Sequence, residues 1–381
     1  MGEPGKIVDG RNLEFAESTS YTLGVEIEFQ TLDKETYDLA PFAPILLENA
    51  PALLAPRLSP EFIQSILEIQ TGICSSLVDV ENDLMQTVSM AEELAEDNNS
   101  ILFAASLHPF ARHREQLLTT NDRYEAIMQE LQIVGRRFIT QGLHVHVGLP
   151  NGESAVRVCN QIQAYLPILL ALTASSPFFQ GEDTGLMSYR TKLFEALPLA
   201  GAYSHIENWH EFKEEVHLLQ SVGVIESIRD LWWDARPHPD FGTLEIRICD
   251  LPVRFFDILG ITAMVQALVA TIAEQDAVMR PPLNQHIIRS NKWQAARYGL
   301  DGTYFDPGGM LSSSRISLRE AANLLLEKIA PMAAGLGAEH YMGHVQRVLS
   351  DGTGADFLRC CHGKSGDFKN VIASLWGEFW Q

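Results

Sequence analysis

The segment TLGVEIEFQ, residues 22–30, alternates apolar and polar side chains so regularly that it predicts a β-strand with one buried face. The side chains that share this apolar face are Leu23, Val25, Ile27 and Phe29. Glu26 and Glu28 point the other way. A lone Glu-x-Glu strand is more often an edge strand with a solvated face, and the alternative is a strand that lines a metal site. The choice depends on whether other strands repeat the pattern.

Three further segments show the same one-sided pattern. GLHVHVGLP places His144 and His146 on one face of a predicted strand, GTLEIRICDLP places Glu245 and Arg247 together, and ILEIQ carries Glu68 between apolar neighbours. Each also has a plain structural explanation, either a satisfied buried histidine or a weak ion pair on a solvated surface. Four such strands in one chain favour a shared site.

If the polar faces of these strands meet, four glutamates converge: Glu26, Glu28, Glu68 and Glu245. Clustered carboxylates repel one another and lose hydration, so they need counter-ions. Oxygen ligands with few nitrogens select Mg²⁺ or Mn²⁺ over Zn²⁺. Carboxylate-rich Mg²⁺ sites usually serve phosphate chemistry, so the pattern predicts an enzyme that uses a nucleotide.

The composition excludes several classes of partner. The net charge of −21 argues against a nucleic-acid binder and against a protein that binds anionic membranes. The longest apolar run, residues 258–273, falls short of the ~20 residues that a membrane span needs. Five cysteines without a C-x-x-C pair, and no signal-peptide pattern, predict a cytoplasmic protein without a disulfide framework.

The order of the predicted elements favours an α+β fold, because helices interrupt the strands without a regular β-α-β rhythm. Residues 1–18 are expected to form a loose N-terminal arm, and residues 19–381 a single catalytic domain. Ser59-Pro60-Glu61 has the pattern of a helix start, and residues 101–109 that of a central strand. The predicted helices cover residues 79–98, 121–136, 153–174, 208–220, 256–278, 284–298, 316–330 and 338–349.

Six motifs together resemble a known family. LGVEIEF, LEIQTG, GLHVHVG, DTGLMSYR, TLEIRICD and NKWQAARYGLDG occur in the order and spacing of the carboxylate–amine ligase family, the glutamate–cysteine ligase type 2 or YbdK-like group. The resemblance covers roughly residues 20–375. It implies the fold of the glutamine synthetase and guanidino kinase superfamily, an antiparallel sheet curved into a half-funnel with helices packed outside.

The resemblance also implies a reaction. ATP would transfer its γ-phosphoryl group to a substrate carboxylate, and an amine would displace phosphate from the resulting acyl phosphate to form an amide. Glutamate and cysteine are the leading substrates, with glutathione biosynthesis as the implied pathway. A guanidino-kinase-like phosphotransferase and a non-catalytic metabolite-binding protein are the alternatives. The assembly is left open, with a homodimer as the expected one.

Residue roles follow from the resemblance, position by position. The implied metal ligands are Glu26, Glu28, Glu68, Glu245 and His144. The implied catalytic residues are Arg247, which would stabilise charge during phosphoryl transfer, and Glu28. The implied cofactor-binding residues are His144, His146, Arg190, Asn291 and Arg297, although the last three also fit polar positions on helix surfaces. Many members of the family have glutamate where this chain has Ile27, a position on the predicted apolar face.

Overall fold

The alternating segment forms the longest strand, β1 (Leu23–Asp33), in a computed structural model that describes residues 8–275, 281–312 and 314–381. The apolar positions of β1 are at most 2% exposed at Leu23, Val25, Ile27 and Phe29. β1 pairs with three other strands, so it forms the centre of the sheet. The predicted strand and its buried face are both confirmed.

Besides β1, the strands within the described residues are β2 (Leu58–Pro60), β3 (Ile66–Gln70), β4 (Ser100–Phe103), β5 (Leu143–Gly148), β6 (Phe178–Phe179), β7 (Glu182–Asp183), β8 (Ala235–His238), β9 (Thr243–Ile246), β10 (Thr303–Tyr304) and β11 (Ile316–Ser317). The main sheet has seven strands in the order β2-β3-β1-β5-β9-β8, with β4 also paired to β1, and every pairing is antiparallel. Two short ribbons, β6–β7 and β10–β11, lie outside it.

Helices cover the apolar face of the sheet, where α2, α5 and α9 pack against the strands. Within the described residues the α-helices are α1 (Ala43–Asn49), α2 (Leu77–Asp97), α3 (Asp122–Leu131), α4 (Ile133–Arg136), α5 (Gly152–Ile162), α6 (Leu166–Thr173), α7 (Arg190–Phe194), α8 (Trp209–Ser221), α9 (Phe255–Ala273), α10 (Gln285–Tyr298), α11 (Leu318–Gly335), α12 (Met342–Asp351), α13 (Gly354–Ser365) and α14 (Phe368–Trp376). Short 3-10 helices lie at Gly10–Asn12, Ala55–Arg57, His113–Glu115, Ile228–Asp230, Pro239–Phe241, Gly299–Asp301 and Glu339–Tyr341.

Among the described residues, one single helix, α9, is long and apolar enough to cross a membrane by length and composition. However, 89% of its apolar window is buried inside the protein. It packs against α5, α11 and α12 as well as the sheet. This burial is typical of a core helix, as the sequence predicts for this segment. Residues 276–278 of the predicted helix lie outside the described residues.

Several predicted boundaries are wrong. Ser59-Pro60-Glu61 does not begin a helix: Leu58–Pro60 is the edge strand β2, where Pro60 is tolerated because an edge position needs no donor on its outer side. The expected central strand at 101–109 is only four residues long and pairs with β1 alone.

Two long predicted helices are each divided in the structure. The segment 153–174 forms α5 and α6, which meet at a bend of 67°. The segment 121–136 is divided at Gln132, whose backbone has a positive φ of 50°. Helices α13 and α14 were not predicted, since their apolar residues lie in two short segments separated by Gly366 and Asp367.

The described part of the predicted arm is packed onto the protein. Gly10 N donates a hydrogen bond to Gln220 Oε1 at 2.7 Å, and a Cβ on Gly10 would lie only 2.3 Å from His217 N of α8. Further along, Ala16 N donates to Pro239 O at 2.9 Å. Residues 8–18 are therefore docked rather than loose, whereas residues 1–7 lie outside the described residues. The division at residue 18 and the single domain beyond it stay predictions.

The buried face of β1 predicts a specific loss of stability. Ile27→Ala should lower the free energy of unfolding by about 2–5 kcal/mol, because it leaves a cavity at a fully buried position. Chemical denaturation measures the change. The matched control is Ile73→Ala, at a position 89% exposed, which should change stability by less than about 0.5 kcal/mol. Equal losses in the two variants would contradict the placement of Ile27.

Candidate active site

The register of the sheet brings the predicted polar residues together. Glu26 of β1 lies opposite His144 of β5, and Glu28 lies opposite Glu68 of β3. Two residues further along β5, His146 lies opposite Glu245 of β9, and Glu245 also lies opposite Arg236 of β8. Because directly opposed residues share one face of a sheet, these side chains form a continuous polar surface.

This surface lines a cavity of about 800 Å³. The predicted site residues on its wall are Glu26, Glu28, Glu68, His144, His146, Glu245 and Arg247. Charged or imidazole side chains that the sequence did not single out also line it, among them Glu61, Arg236 and His238. A larger cavity of about 1270 Å³, beside α5, contains none of the metal-ligand sets found among the described residues. The smaller cavity is therefore the candidate active site.

Three sets of side chains could each hold a cation, since their ligand atoms lie within 4.8 Å of one another. Glu26 and Glu68 each belong to two sets, so the sets form one connected cluster. The sets are Glu26, Glu68 and His144; Glu26, His146 and Glu245; and Glu28, Glu61 and Glu68. Every predicted carboxylate ligand is in the cluster, together with the unpredicted Glu61.

The environment of His144 indicates that the cluster fits a metal ion. Its Nδ1 lies 3.1 Å from Glu26 Oε2, which fixes the ring. Its Nε2 is buried without a hydrogen-bond partner among the described residues and lies 3.9 Å from Glu28 Oε1. A buried polar atom without a partner is costly, and coordination to a cation would satisfy it. Oxygen donors with one or two nitrogens fit Mg²⁺ or Mn²⁺.

Glu28 is held rigidly but is not stabilised as an anion. Its Oε2 accepts a hydrogen bond from Gly142 N at 2.6 Å. Burial and the nearby Glu61 carboxylate raise the pKa of Glu28 to about 8, against the opposing effects of Arg190 and Arg247. Burial also raises the pKa of Glu61, and burial together with Glu26 raises the pKa of Glu68 well above its ordinary value. Without a cation, these carboxyl groups favour the protonated form.

Glu245 is stabilised as an anion by two arginines. Arg236 donates to Glu245 Oε2 from Nε at 3.1 Å and from Nη2 at 2.8 Å, and Arg247 donates to Oε1. Burial raises the pKa of Glu245, but Arg236 and Arg247 outweigh it and hold the pKa well below its ordinary value. Glu245 can therefore bind a metal only by sharing its oxygens with guanidinium groups. This double pairing was not predicted.

The pKa values of the two histidines of β5 shift in opposite directions. His146 Nε2 lies 3.3 Å from Glu26 Oε1, and its Nδ1 lies 2.9 Å from Thr243 Oγ1. Burial lowers the pKa of His146, but the charge and hydrogen bond of Glu26, together with the Glu245 charge, outweigh burial and raise it. For His144, burial and the Arg247 charge lower the pKa to about 4. His144 is therefore neutral at pH 7, the form that binds metals.

The other three predicted cofactor contacts lie away from the lining of the 800 Å³ cavity. Arg190 is buried and donates to the backbone carbonyls of Ile248 and Arg247, both at 3.3 Å. The side chain of Asn291 bonds to the backbone N–H and C=O of Phe305. Arg297 donates to Gly185 O. These side chains thus contact backbone groups of neighbouring segments, and cofactor binding by them stays a prediction.

Among the site residues that were not predicted, those of β8 follow a recognisable sequence pattern. The segment ARPH alternates Arg236 and His238 with apolar neighbours, as the other site strands do, but it is only four residues long. Glu61 lies in the connection between β2 and β3, where the predicted helix start concealed its role. No local pattern marks a loop glutamate as part of a cluster.

Comparisons with known proteins show the family of this chain. The family model for glutamate-cysteine ligase family 2 matches residues 22–372. A relative from Gloeobacter violaceus, provisionally named glutamate–cysteine ligase 2, is 39% identical over 369 residues, covering 95% of this chain and 98% of the relative. A relative from Solibacter usitatus with the same provisional name is 38% identical, covering 93% of this chain and 92% of the relative.

Two solved structures share the fold at low sequence identity. A glutamate–cysteine ligase from Francisella tularensis in complex with AMP has a TM-score of 0.68 and 15% identity, covering 96% of this chain and 90% of that one. A bifunctional glutathione synthetase from Pasteurella multocida has a TM-score of 0.70 and 16% identity, covering 94% of this chain and 52% of that one. The prediction of an α+β fold with an antiparallel sheet and helices packed outside it is confirmed.

The raised carboxyl pKa values predict how stability depends on pH when metal is absent. The folded protein keeps a proton on Glu28 up to about pH 8, whereas the unfolded chain releases it near its ordinary pKa of 4.5. The stabilisation that the bound proton gives the folded state is therefore fully present below pH 4.5, and it is lost as the pH rises through about 8. In EDTA, the melting temperature should fall between about pH 5 and pH 8, and less steeply for Glu28→Gln.

The isosteric variant keeps an oxygen that can accept from Gly142 N, so it removes the titration without removing the hydrogen bond. Glu93→Gln, at an exposed position of α2, is the matched control and should follow the unmodified protein. Thermal melts across this pH range make the comparison. A melting temperature for Glu28→Gln that falls as steeply as that of the control would contradict the assignment.

Proposed function

Because the chain belongs to glutamate-cysteine ligase family 2, a family of carbon–nitrogen ligases, we propose that it joins a carboxylate to an amine in an ATP- and Mg²⁺-dependent reaction. The proposed product is a γ-glutamyl-type amide, and the proposed intermediate is an acyl phosphate. Glutamate and cysteine are the leading substrates, as the names of the relatives suggest. Glutathione biosynthesis is the corresponding pathway.

The observation that carries this proposal is the partly buried carboxylate cluster around the neutral His144, whose Nε2 has no hydrogen-bond partner among the described residues. Five glutamates line one cavity, and within the described part of the chain arginines pair with one of them, Glu245. Such a cluster binds divalent cations, and carboxylate-held Mg²⁺ characteristically accompanies the phosphates of a nucleotide. The Francisella tularensis structure, a complex with AMP, supports a nucleotide in this fold.

The chain's own residues would act by position and charge. The bound cations would neutralise phosphate oxygens during phosphoryl transfer. Gly142 N fixes one oxygen of Glu28, which directs the other oxygen into the cluster. The sheet holds the remaining ligands in register, so little reorganisation accompanies the reaction.

Arg247 is the proposed cation for the charge that develops on the transferring group. Its side chain lines the cavity, is paired with Glu245, and has a buried Nε without a partner among the described residues. Burial lowers the pKa of Arg247, but Glu245 outweighs it and raises the pKa, so the guanidinium stays charged. An arginine placed in this way stabilises phosphoryl transfer without accepting a proton.

We also propose a cytoplasmic protein that acts on small molecules and forms a homodimer, with no nucleic-acid or membrane partner. Burial of the apolar helix α9 in the core supports the proposed absence of a membrane anchor. All five cysteines are free thiols in the structure, which suits a reducing compartment. The net charge of −21 disfavours binding to nucleic acid.

Steady-state release of ADP tests the proposed reaction. With Mg²⁺ present, ADP release should require both an acid and an amine, and mass spectrometry should detect the amide. Glu28→Gln should lower kcat by at least about a hundredfold, because it removes a charge from the cluster that holds the cation. Glu93→Gln should keep full activity.

The alternatives give different results in the same assay. A guanidino-kinase-like phosphotransferase would release ADP with a single nitrogenous substrate and form no amide. A metabolite-binding protein would release no ADP with any pair of substrates. Either result with the unmodified protein, or full activity of Glu28→Gln, would contradict the proposed function.

A further inference from the structure

The turn between β8 and β9 presents an aromatic ring to the same cavity. Phe241 is 54% exposed and lines the cavity wall. Its ring stacks on the imidazole of His238, with centroids 4.2 Å apart and planes 7° from parallel. His238 is only 5% exposed, and its Nδ1 has no hydrogen-bond partner among the described residues. One face of this stack is therefore buried and the other is open.

The turn that carries the ring is fixed on several sides. Gly242 has a φ of +64°, and a Cβ there would lie 2.2 Å from Ala16 O. Gly242 O accepts from Leu149 N at 3.0 Å, and Pro239 O accepts from Ala16 N at 2.9 Å. The turn is thus packed between the N-terminal segment and the end of β5. An exposed aromatic ring that is held this firmly is pre-organised to receive a ligand.

The ring lies beside the carboxylate cluster but outside it. His146, whose Nε2 is 3.3 Å from Glu26 Oε1, has its ring centroid 5.6 Å from that of Phe241. Asp240, next to Phe241, also lines the cavity and disfavours a phosphate or a carboxylate at this end. The ligand group that fits here is planar and uncharged, and it is attached to a group that reaches the cluster.

Four other aromatic residues of the cavity are arranged differently. Phe138 and Phe194 pack edge to face at 4.5 Å and 68°, and Phe62 and Tyr124 do so at 5.5 Å and 82°. These rings pack against one another in edge-to-face pairs, as aromatic residues do in a protein core. The parallel pair of His238 and Phe241 is instead the arrangement that a flat ring can extend by stacking.

We propose that Phe241, backed by His238, is the shelf on which the nucleobase of ATP stacks while the phosphates reach the carboxylate cluster. This assignment rests on the proposed function, since it takes ATP as the nucleotide. It makes Phe241 a binding residue and gives the docked N-terminal segment a role in holding the nucleotide site.

Calorimetric titration with two probes tests the shelf. In the presence of Mg²⁺, Phe241→Ala should weaken ADP binding roughly tenfold, the scale of one base–aromatic stacking contact. The same variant should bind inorganic tripolyphosphate with Mg²⁺ as the unmodified protein does, because that probe has no base. Phe241→Tyr should restore ADP affinity. Phe305→Ala, at another exposed phenylalanine outside the cavity lining, should bind both probes normally.

The outcomes separate the shelf from the proposed function. Failure of the unmodified protein to bind ADP with Mg²⁺ would overturn the use of ATP and the shelf with it. Normal ADP binding by Phe241→Ala would overturn the shelf alone. An equal loss of ADP and tripolyphosphate binding would also overturn it, because the defect would then concern the phosphates or the fold and not the base.

Discussion

The structure depends on one electrostatic constraint: five glutamates face a single cavity, and like charges cannot be crowded there unless they are compensated. Among the described residues, the chain itself supplies partners for two of the five. Arg236 and Arg247 pair with Glu245, and the two histidines of β5 contact Glu26. In the described part of the chain no cation is paired with Glu28, Glu61 or Glu68, and burial together with neighbouring carboxylates raises their pKa values. The cluster is complete only with added positive charge.

The scaffold explains why this arrangement can fold. The apolar side of β1 is sealed by helices, and the same alternation directs its glutamates to the opposite face. A shift of one residue in register would bury Glu26 and Glu28 in the core and expose Ile27, so the core and the site fix the same register. Ile27, between the two glutamates, belongs to the apolar core.

Much of the site was predictable because strand alternation is a local signal. Glu26, Glu28, Glu68, His144 and Glu245 were identified in this way, and the structure brings all five together. Glu61 was not identified because a loop has no periodicity. Arg236 was not identified because its strand is too short to show the alternation. The contacts of Arg190, Asn291 and Arg297 depend on long-range packing against backbone carbonyls, which no spacing in the sequence reveals. The edge strand at Pro60 shows how tertiary pairing overrides a local helix signal.

The most direct test of the central claim is anomalous diffraction from crystals soaked in Mn²⁺, with EDTA-treated crystals as the reference. Mn²⁺ substitutes for Mg²⁺ at oxygen-rich sites and can be located without reference to activity. The account predicts anomalous peaks inside the cluster, with at least one between Glu26, Glu68 and His144. A cavity that stays free of anomalous density at saturating Mn²⁺, or peaks only on the protein surface, would contradict it.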